Sequence, residues 1–131
     1  MELQNNYDVG IYCRLSRDDN NGHLESMSIV NQRQVLTDYV AEKGWKLKEC
    51  YVDDGFTGTN FDRPNFKRMI KDAELGKINC IITKDLSRLG RNYVQAGYYT
   101  DEFFVEHNIR FIAINDGIDT IKEDNDIAAF H

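Results

Sequence analysis

Four short apolar runs, at 8–13, 45–52, 78–83 and 109–114, alternate with three stretches of helical spacing, and this alternation constrains the chain more than any other feature. Each run has the length and boundaries of a buried strand rather than of a helix. After the first run, Ile29, Leu36 and Val40, with Tyr39 alongside, recur at helical intervals; Ser26 or Ser28 is placed to cap that helix and Gly44 to stop it. Residues 53–60 are rich in turn formers. Pro64 then suits the first position of a helix carrying Phe66, Met69, Ile70 and Ala73, which Gly76 ends. A third helix is read over 92–107, with Tyr99, Phe103 and Phe104 on its apolar side. Such alternation predicts an α/β domain of three layers, a mostly parallel central sheet flanked by helices on both faces through right-handed crossovers. In sheets of this kind the working residues lie beyond the carboxyl ends of the strands. The first run leads into Arg14-Leu-Ser16-Arg17 and the third into residues 84–91, so the polar chemistry gathers at one rim.

At 131 residues the chain reads as one domain, burying about two-thirds of the surface its unfolded form exposes. No apolar run approaches the roughly 18–20 residues of a membrane span, and no signal peptide precedes Tyr7. Cys13, Cys50 and Cys80 are odd in number and lack metal-type spacing, which points to reduced thiols in a cytoplasmic protein, with Cys13 and Cys80 in the core. His23, His107 and His131 form no ligand pair. The net charge of −6 argues against a stand-alone nucleic-acid-binding domain, whose usual footprint is a basic patch. That charge is uneven, however. Asp116, Asp119, Glu123, Asp124 and Asp126 face only Lys122 within residues 116–126, while basic residues bunch at 63–68 and 84–91.

Alternation along the first strand puts Arg14 and Ser16 on one side and Cys13 and Leu15 on the other. A guanidinium beside a hydroxyl suits phosphoryl transfer better than acyl transfer, because Arg matches phosphate oxygens bidentately and stays charged. The second rim loop adds Lys84, Arg88 and Arg91. Arg88 and Arg91 share a face if a helical turn begins there, with Leu86 and Leu89 packed inward. Together the two loops place a candidate nucleophile, Ser16, in a cationic cradle of Arg14, Arg88 and Arg91, suited to a phosphodiester passing through a charge-rich transition state. Taken singly, each feature also has a plainer reading: Ser16 as a cap or loop residue, residues 84–91 as a solvated face, Asp53 and Asp54 as turn formers. No phosphate-binding Gly-x4-Gly-Lys loop and no carboxylate signature for a metal are present.

Tyr12-Cys-Arg14-Leu-Ser16, Ser28-Ile-Val-Asn-Gln32, Asp53-Asp-Gly-Phe-Thr-Gly58, Asp62-Arg63-Pro64 and Asp85-Leu-Ser87-Arg88-Leu-Gly-Arg91-Asn92, in that order, resemble the serine recombinase (resolvase and invertase) catalytic domain. The likeness is greatest to the large serine recombinases of transposons and other mobile elements. It covers most of the chain, from Tyr7 to about Asn115. The resemblance implies a resolvase-like fold and a site-specific DNA recombinase in which Ser16 attacks a phosphodiester, forms a 5′-phosphoserine link, and strands are exchanged and religated within a dimer or tetramer. It implies double-stranded DNA sites as partner, and neither ATP nor a metal as cofactor. By position it makes Arg14, Arg88 and Arg91 phosphate ligands, Arg63 an accessory phosphate contact and Gln32 a helper near the phosphate. Smaller resolvases carry Asp where this chain has Ser87, which leaves Asp85 or Ser87 to assist. Residues 1–131 are then expected to be the catalytic part of a longer protein, with DNA-binding regions elsewhere. Two other readings remain at this stage: a small-molecule phosphate-ester hydrolase using Ser16 or Asp53, and a non-catalytic α/β interaction module.

Overall fold

The computed structural model describes residues 6–15, 25–57 and 59–121. The elements, in order, are β1 (Asp8–Leu15), α1 (Glu25–Lys43), β2 (Lys46–Asp54), α2 (Pro64–Glu74), β3 (Cys80–Thr83), α3 (Leu86–Leu89), α4 (Tyr93–Tyr98), a π-helical turn (Tyr99–Phe103), α5 (Phe104–Glu106), β4 (Arg110–Ala113) and β5 (Ile118–Asp119). The sheet runs β2-β1-β3-β4-β5, with β1 to β4 parallel and β5 antiparallel to β4. Going from β1 to β2 on one side and to β3 on the other, the chain reverses its direction of winding. That puts the topological switch point, where α/β sheets bind ligands, at the carboxyl ends of β1 and β3.

Period-two alternation divides the core into two layers. Val9, Ile11, Cys13 and Leu15 of β1 pack with Ile29, Leu36 and Val40 of α1 on one face. On the other, Tyr12, Ile81 and Phe111 meet Phe66, Met69 and Ala73 of α2 and the aromatic residues Phe103 and Phe104. The three-layer α/β expectation therefore holds. Pro64 opens α2, Gly44 and Gly76 take left-handed φ of 75° and 79° after their helices, and Cys13 and Cys80 are fully buried, as expected.

Several details differ. α1 begins at Glu25, so Ser28 lies inside the helix, where its hydroxyl accepts from Gln32 Nε2 at 3.5 Å. The third helix is interrupted by the π-helical turn, which carries Tyr99 into contact with Phe61 and Phe66 at ring separations of 5.0 and 5.1 Å. Within the acidic stretch, Ile118–Asp119 forms β5, a strand outside the four apolar runs. Arg110 grips Asp119 with two bonds, Nε to Oδ1 at 3.0 Å and Nη2 to Oδ2 at 2.7 Å, and lies over the Trp45 ring at 4.9 Å. Alternating charge and apolarity cannot announce a two-residue strand held by one bidentate pair. Among the described residues, no helix is long and apolar enough to cross a membrane.

Candidate active site

Arg14 is the next-to-last residue of β1 and is fully buried, although it carries a charge. Its guanidinium donates to three main-chain carbonyls: Nε to Arg88 at 3.2 Å, Nη2 to Ser87 at 2.6 Å and Nη1 to Phe56 at 3.1 Å. Its own backbone is held from the opposite face by Gln32 of α1. The Arg14 N–H donates to Gln32 Oε1 at 3.1 Å, and Gln32 Nε2 donates to the Arg14 carbonyl at 3.1 Å. The Gln32 amide thus does for β1 what a neighbouring strand would do, at the point where β1 leaves its ladder with β3. A glutamine in an α1 helix of mixed polarity reads as solvated; burial here follows from its two bonds to strand backbone.

The second loop is shaped by α3, a single turn. Asp85 caps it: Oδ1 accepts from the Arg88 N–H at 3.2 Å and from Ser87 Oγ at 2.6 Å, and it lies 3.7 Å from Arg88 Nε. The inward packing of Leu89 is as expected. The shared helical face for Arg88 and Arg91 is not, because α3 ends at Leu89 and Gly90 is extended. Beyond that turn the Phe61 ring occupies the place a Gly90 Cβ would take, so a side chain there would have to displace the ring. Arg88 turns back, its Nη1 donating to the Arg14 carbonyl at 3.1 Å, whereas Arg91 stands at the exposed rim.

Arg63, expected as an accessory phosphate contact, is also fully buried. Its guanidinium lies over the Phe61 and Phe66 rings, each at 4.8 Å. Nη2 donates to the Leu89 carbonyl at 2.6 Å, Nη1 to the Arg88 carbonyl at 3.3 Å and to Tyr12 Oη at 2.8 Å, and Nε to the Asn60 carbonyl at 3.0 Å. The carbonyls at the end of a helix lack intrahelical partners. Here those of Ser87, Arg88 and Leu89 are supplied by two buried arginines, so Arg14 and Arg63 hold α3 as a clamp. Tyr12 Oη in turn donates to Asp53 Oδ2 at 2.8 Å. Asp53 is buried and does not serve as a turn former: it accepts the N–H groups of Asn65 at 3.0 Å and Phe66 at 2.9 Å, capping α2 from β2. Burial, and then the Asp53 carboxylate, push the Tyr12 phenol up, so it stays protonated.

The electrostatic outcome is an excess of positive charge. Among the described residues, Arg14, Arg63, Arg88 and Arg91 converge on a region whose acids include Asp53, Asp85 and Asp116. Burial first, then the charges of Arg63, Arg91 and Arg88, push the Arg14 guanidinium down to about 10. A site that disfavours its own cations is relieved by an anion. Gln32, Arg14, Arg63, Asp85 and Arg88 are thus brought together at the ends of β1 and β3, with Arg91 at the rim. Ser16 lies outside the described residues.

The family model described as Resolvase, N terminal domain, matches residues 9–130. The chain belongs to the resolvase family. It is 30% identical over 107 residues to a putative DNA recombinase of Bacillus subtilis (strain 168), a match covering 82% of this chain and 20% of that one. It is 32% identical over 68 residues to the uncharacterized immunity region protein 3 of Bacillus phage phi105, covering 52% of this chain and 80% of that protein. The crystal structure of the N-terminal catalytic domain of TP901-1 integrase superposes with a TM-score of 0.76 at 33% identity, covering 86% of this chain and 81% of that one. The resolvase domain described here is a site-specific recombinase catalytic domain of the serine class, and the hydrolase and interaction-module readings are not favoured.

Within this resolvase domain, sequence reasoning missed the roles of Tyr12 and Asp53. A signal was present for Asp53: it follows the apolar run of β2 in register with Arg14, so strand pairing alone puts a carboxylate beside the arginine. The Phe56 carbonyl had no signal, since a main-chain acceptor has no residue type.

Proposed function

We propose that this domain cleaves and rejoins double-stranded DNA at recombination sites, with Ser16 as nucleophile. The observation that carries the reading is the interlocking of two loops, Arg14 from β1 and Arg88 from α3, in a buried region with more guanidinium than carboxylate groups. Ser16 follows Arg14 by two residues in the sequence. Its Oγ attacks the scissile phosphorus, the 3′ oxygen leaves as a hydroxyl, and a 5′-phosphoserine link forms. Attack of a partner strand's 3′ hydroxyl reverses the step. Arg88 and Arg91 are the phosphate ligands that the geometry supports most directly. Arg14 joins them when a phosphate oxygen replaces one of its three carbonyl partners. Arg63 and Gln32 act through the loops they hold, and Asp85 orients Arg88. Exchange of strands between sites requires a dimer or tetramer of the longer protein, and the free Cys13, Cys50 and Cys80 are compatible with a cytoplasmic setting.

The test is incubation of a full-length protein bearing this domain with site DNA, followed by denaturing electrophoresis. Protein linked to 5′ ends through Ser16 is expected, and Ser16→Ala should abolish it. Covalent complexes that persist in the variant would show that another group is the nucleophile.

A further inference from the structure

The arginine-bearing turn is held at both ends, and the residue that holds its start lies in the acidic stretch. The segment leaving β4 runs alongside the loop before α3: Ile114 N–H donates to the Thr83 carbonyl at 3.1 Å and Asn115 N–H to the Lys84 carbonyl at 2.7 Å. One residue later, Asp116 Oδ2 accepts the Leu86 N–H at 2.5 Å. Leu86 is the first residue of α3, and its amide has no intrahelical acceptor. Asp85 takes the Arg88 N–H of the same turn at 3.2 Å. Two carboxylates thus meet the amide end of α3, while two guanidiniums meet its carbonyl end, which matches the direction of the peptide dipoles at both ends.

Asp116 is not adrift on a loop. Gly117 takes a left-handed φ of 67° and its N–H donates to the Ile114 carbonyl at 3.2 Å, closing the turn between β4 and β5. β5 pairs with β4 through Ala113 and Ile118, and the Arg110–Asp119 pair fixes its end. Asp116 also borders the hollow formed with Asp85, Ser87, Gly90, Arg91 and Tyr93.

We propose that Asp116 is a positioning residue of the recombinase site, seating the first amide of α3 so that Arg88 and Arg91 are aimed at the scissile phosphate. This rests on the reading of those arginines as phosphate ligands. The carboxylate itself touches neither DNA nor the reacting atoms; its work is to stop α3 from pivoting about the clamp at its other end. A displacement of about 1 Å in a catalytic group can lower a rate on the order of 100-fold.

The experiment compares Asp116→Ala and Asp116→Asn in a full-length protein, measuring single-turnover cleavage at saturating site DNA and, separately, DNA affinity. The alanine variant should lose cleavage on the order of 100-fold with unchanged DNA affinity. Asparagine keeps an acceptor oxygen for the Leu86 amide and should recover most of the rate. Hydrogen exchange at the Leu86 amide should accelerate in the alanine variant only. Normal cleavage by Asp116→Ala, a loss expressed wholly as weaker DNA binding, or an asparagine variant as impaired as alanine each overturns the proposal. Arg88→Ala is run alongside. If that variant also cleaves normally, the phosphate-ligand reading has failed; if it is inactive while Asp116→Ala is normal, only the positioning role has.

Discussion

Arg14 and Arg88 bind each other's main chain: Arg14 Nε donates to the Arg88 carbonyl at 3.2 Å, and Arg88 Nη1 donates to the Arg14 carbonyl at 3.1 Å. The two loops of the site are therefore one unit, and neither arginine can change without moving the backbone that carries the other. Lysine cannot reproduce this arrangement, because one ammonium cannot reach the Ser87, Arg88 and Phe56 carbonyls in the fixed directions of the guanidinium fork. Arg14→Lys should lower single-turnover DNA cleavage by about 100–1000-fold, the range for loss of a preorganised donor. Cleavage within tenfold of the parent protein would show that charge alone suffices at this position.

The excess of buried positive charge predicts a response to simple anions. Arg14 is held near 10 against an ordinary value of 12.5, so between these limits the unfolded chain binds more protons and the group's contribution to stability rises with pH. Below about 10 the guanidinium is charged in both states and the full penalty of burying it is present. An anion bound among the arginines offsets that penalty at neutral pH. Sulfate or pyrophosphate at 100 times its dissociation constant should stabilise the domain by about 2.7 kcal/mol. A thermal melt reads this as a rising Tm that Arg88→Ala abolishes. An increase equal in both proteins would instead mark a general salt effect.

Tyr12 joins Asp53 to Arg63, and Tyr12→Phe removes the hydroxyl while keeping the ring packed against Phe66 at 5.7 Å. Asp53 retains two amide donors and Arg63 retains three carbonyls, so the fold should survive at a cost of about 1–3 kcal/mol, the penalty for leaving a buried polar partner unmet. Urea denaturation with an unchanged m value checks this. A neutral result would mean that water replaces the hydroxyl.

Much of this architecture was legible from residue pattern. The strand and helix order followed from period and turn residues, because burial imposes period two on β1 and period 3.6 on α2. The site's location followed from where β1 and β3 end. Its internal wiring was not legible, for a physical reason: Arg14 and Arg63 act on main-chain carbonyls, which every residue has, so no spacing marks their partners. A charged side chain with no exposed surface also runs against expectation, and the convergence of Ser87, Arg88 and Leu89 carbonyls at the end of α3, with the Phe56 and Asn60 carbonyls, makes it tolerable. The bonds that Gln32 and Asp116 make to backbone across the fold were hidden in the same way.

Asp85 and Ser87 compete for the role that an aspartate fills in smaller relatives, and the geometry separates them. Asp85 Oδ1 accepts from the Arg88 N–H and from Ser87 Oγ and lies 3.7 Å from Arg88 Nε, so one oxygen fixes the turn, the hydroxyl and the guanidinium. The Ser87 hydroxyl donates to Asp85, and its structural contribution to the clamp is its carbonyl, which substitution leaves in place. Asp85→Asn weakens a charge-assisted pairing and should slow cleavage more than Ser87→Ala, which deletes a neutral donor. A single-turnover assay at saturating DNA compares them directly. If Ser87→Ala shows the larger loss, the hydroxyl rather than the carboxylate acts at the phosphate, and Asp85 is reduced to a cap.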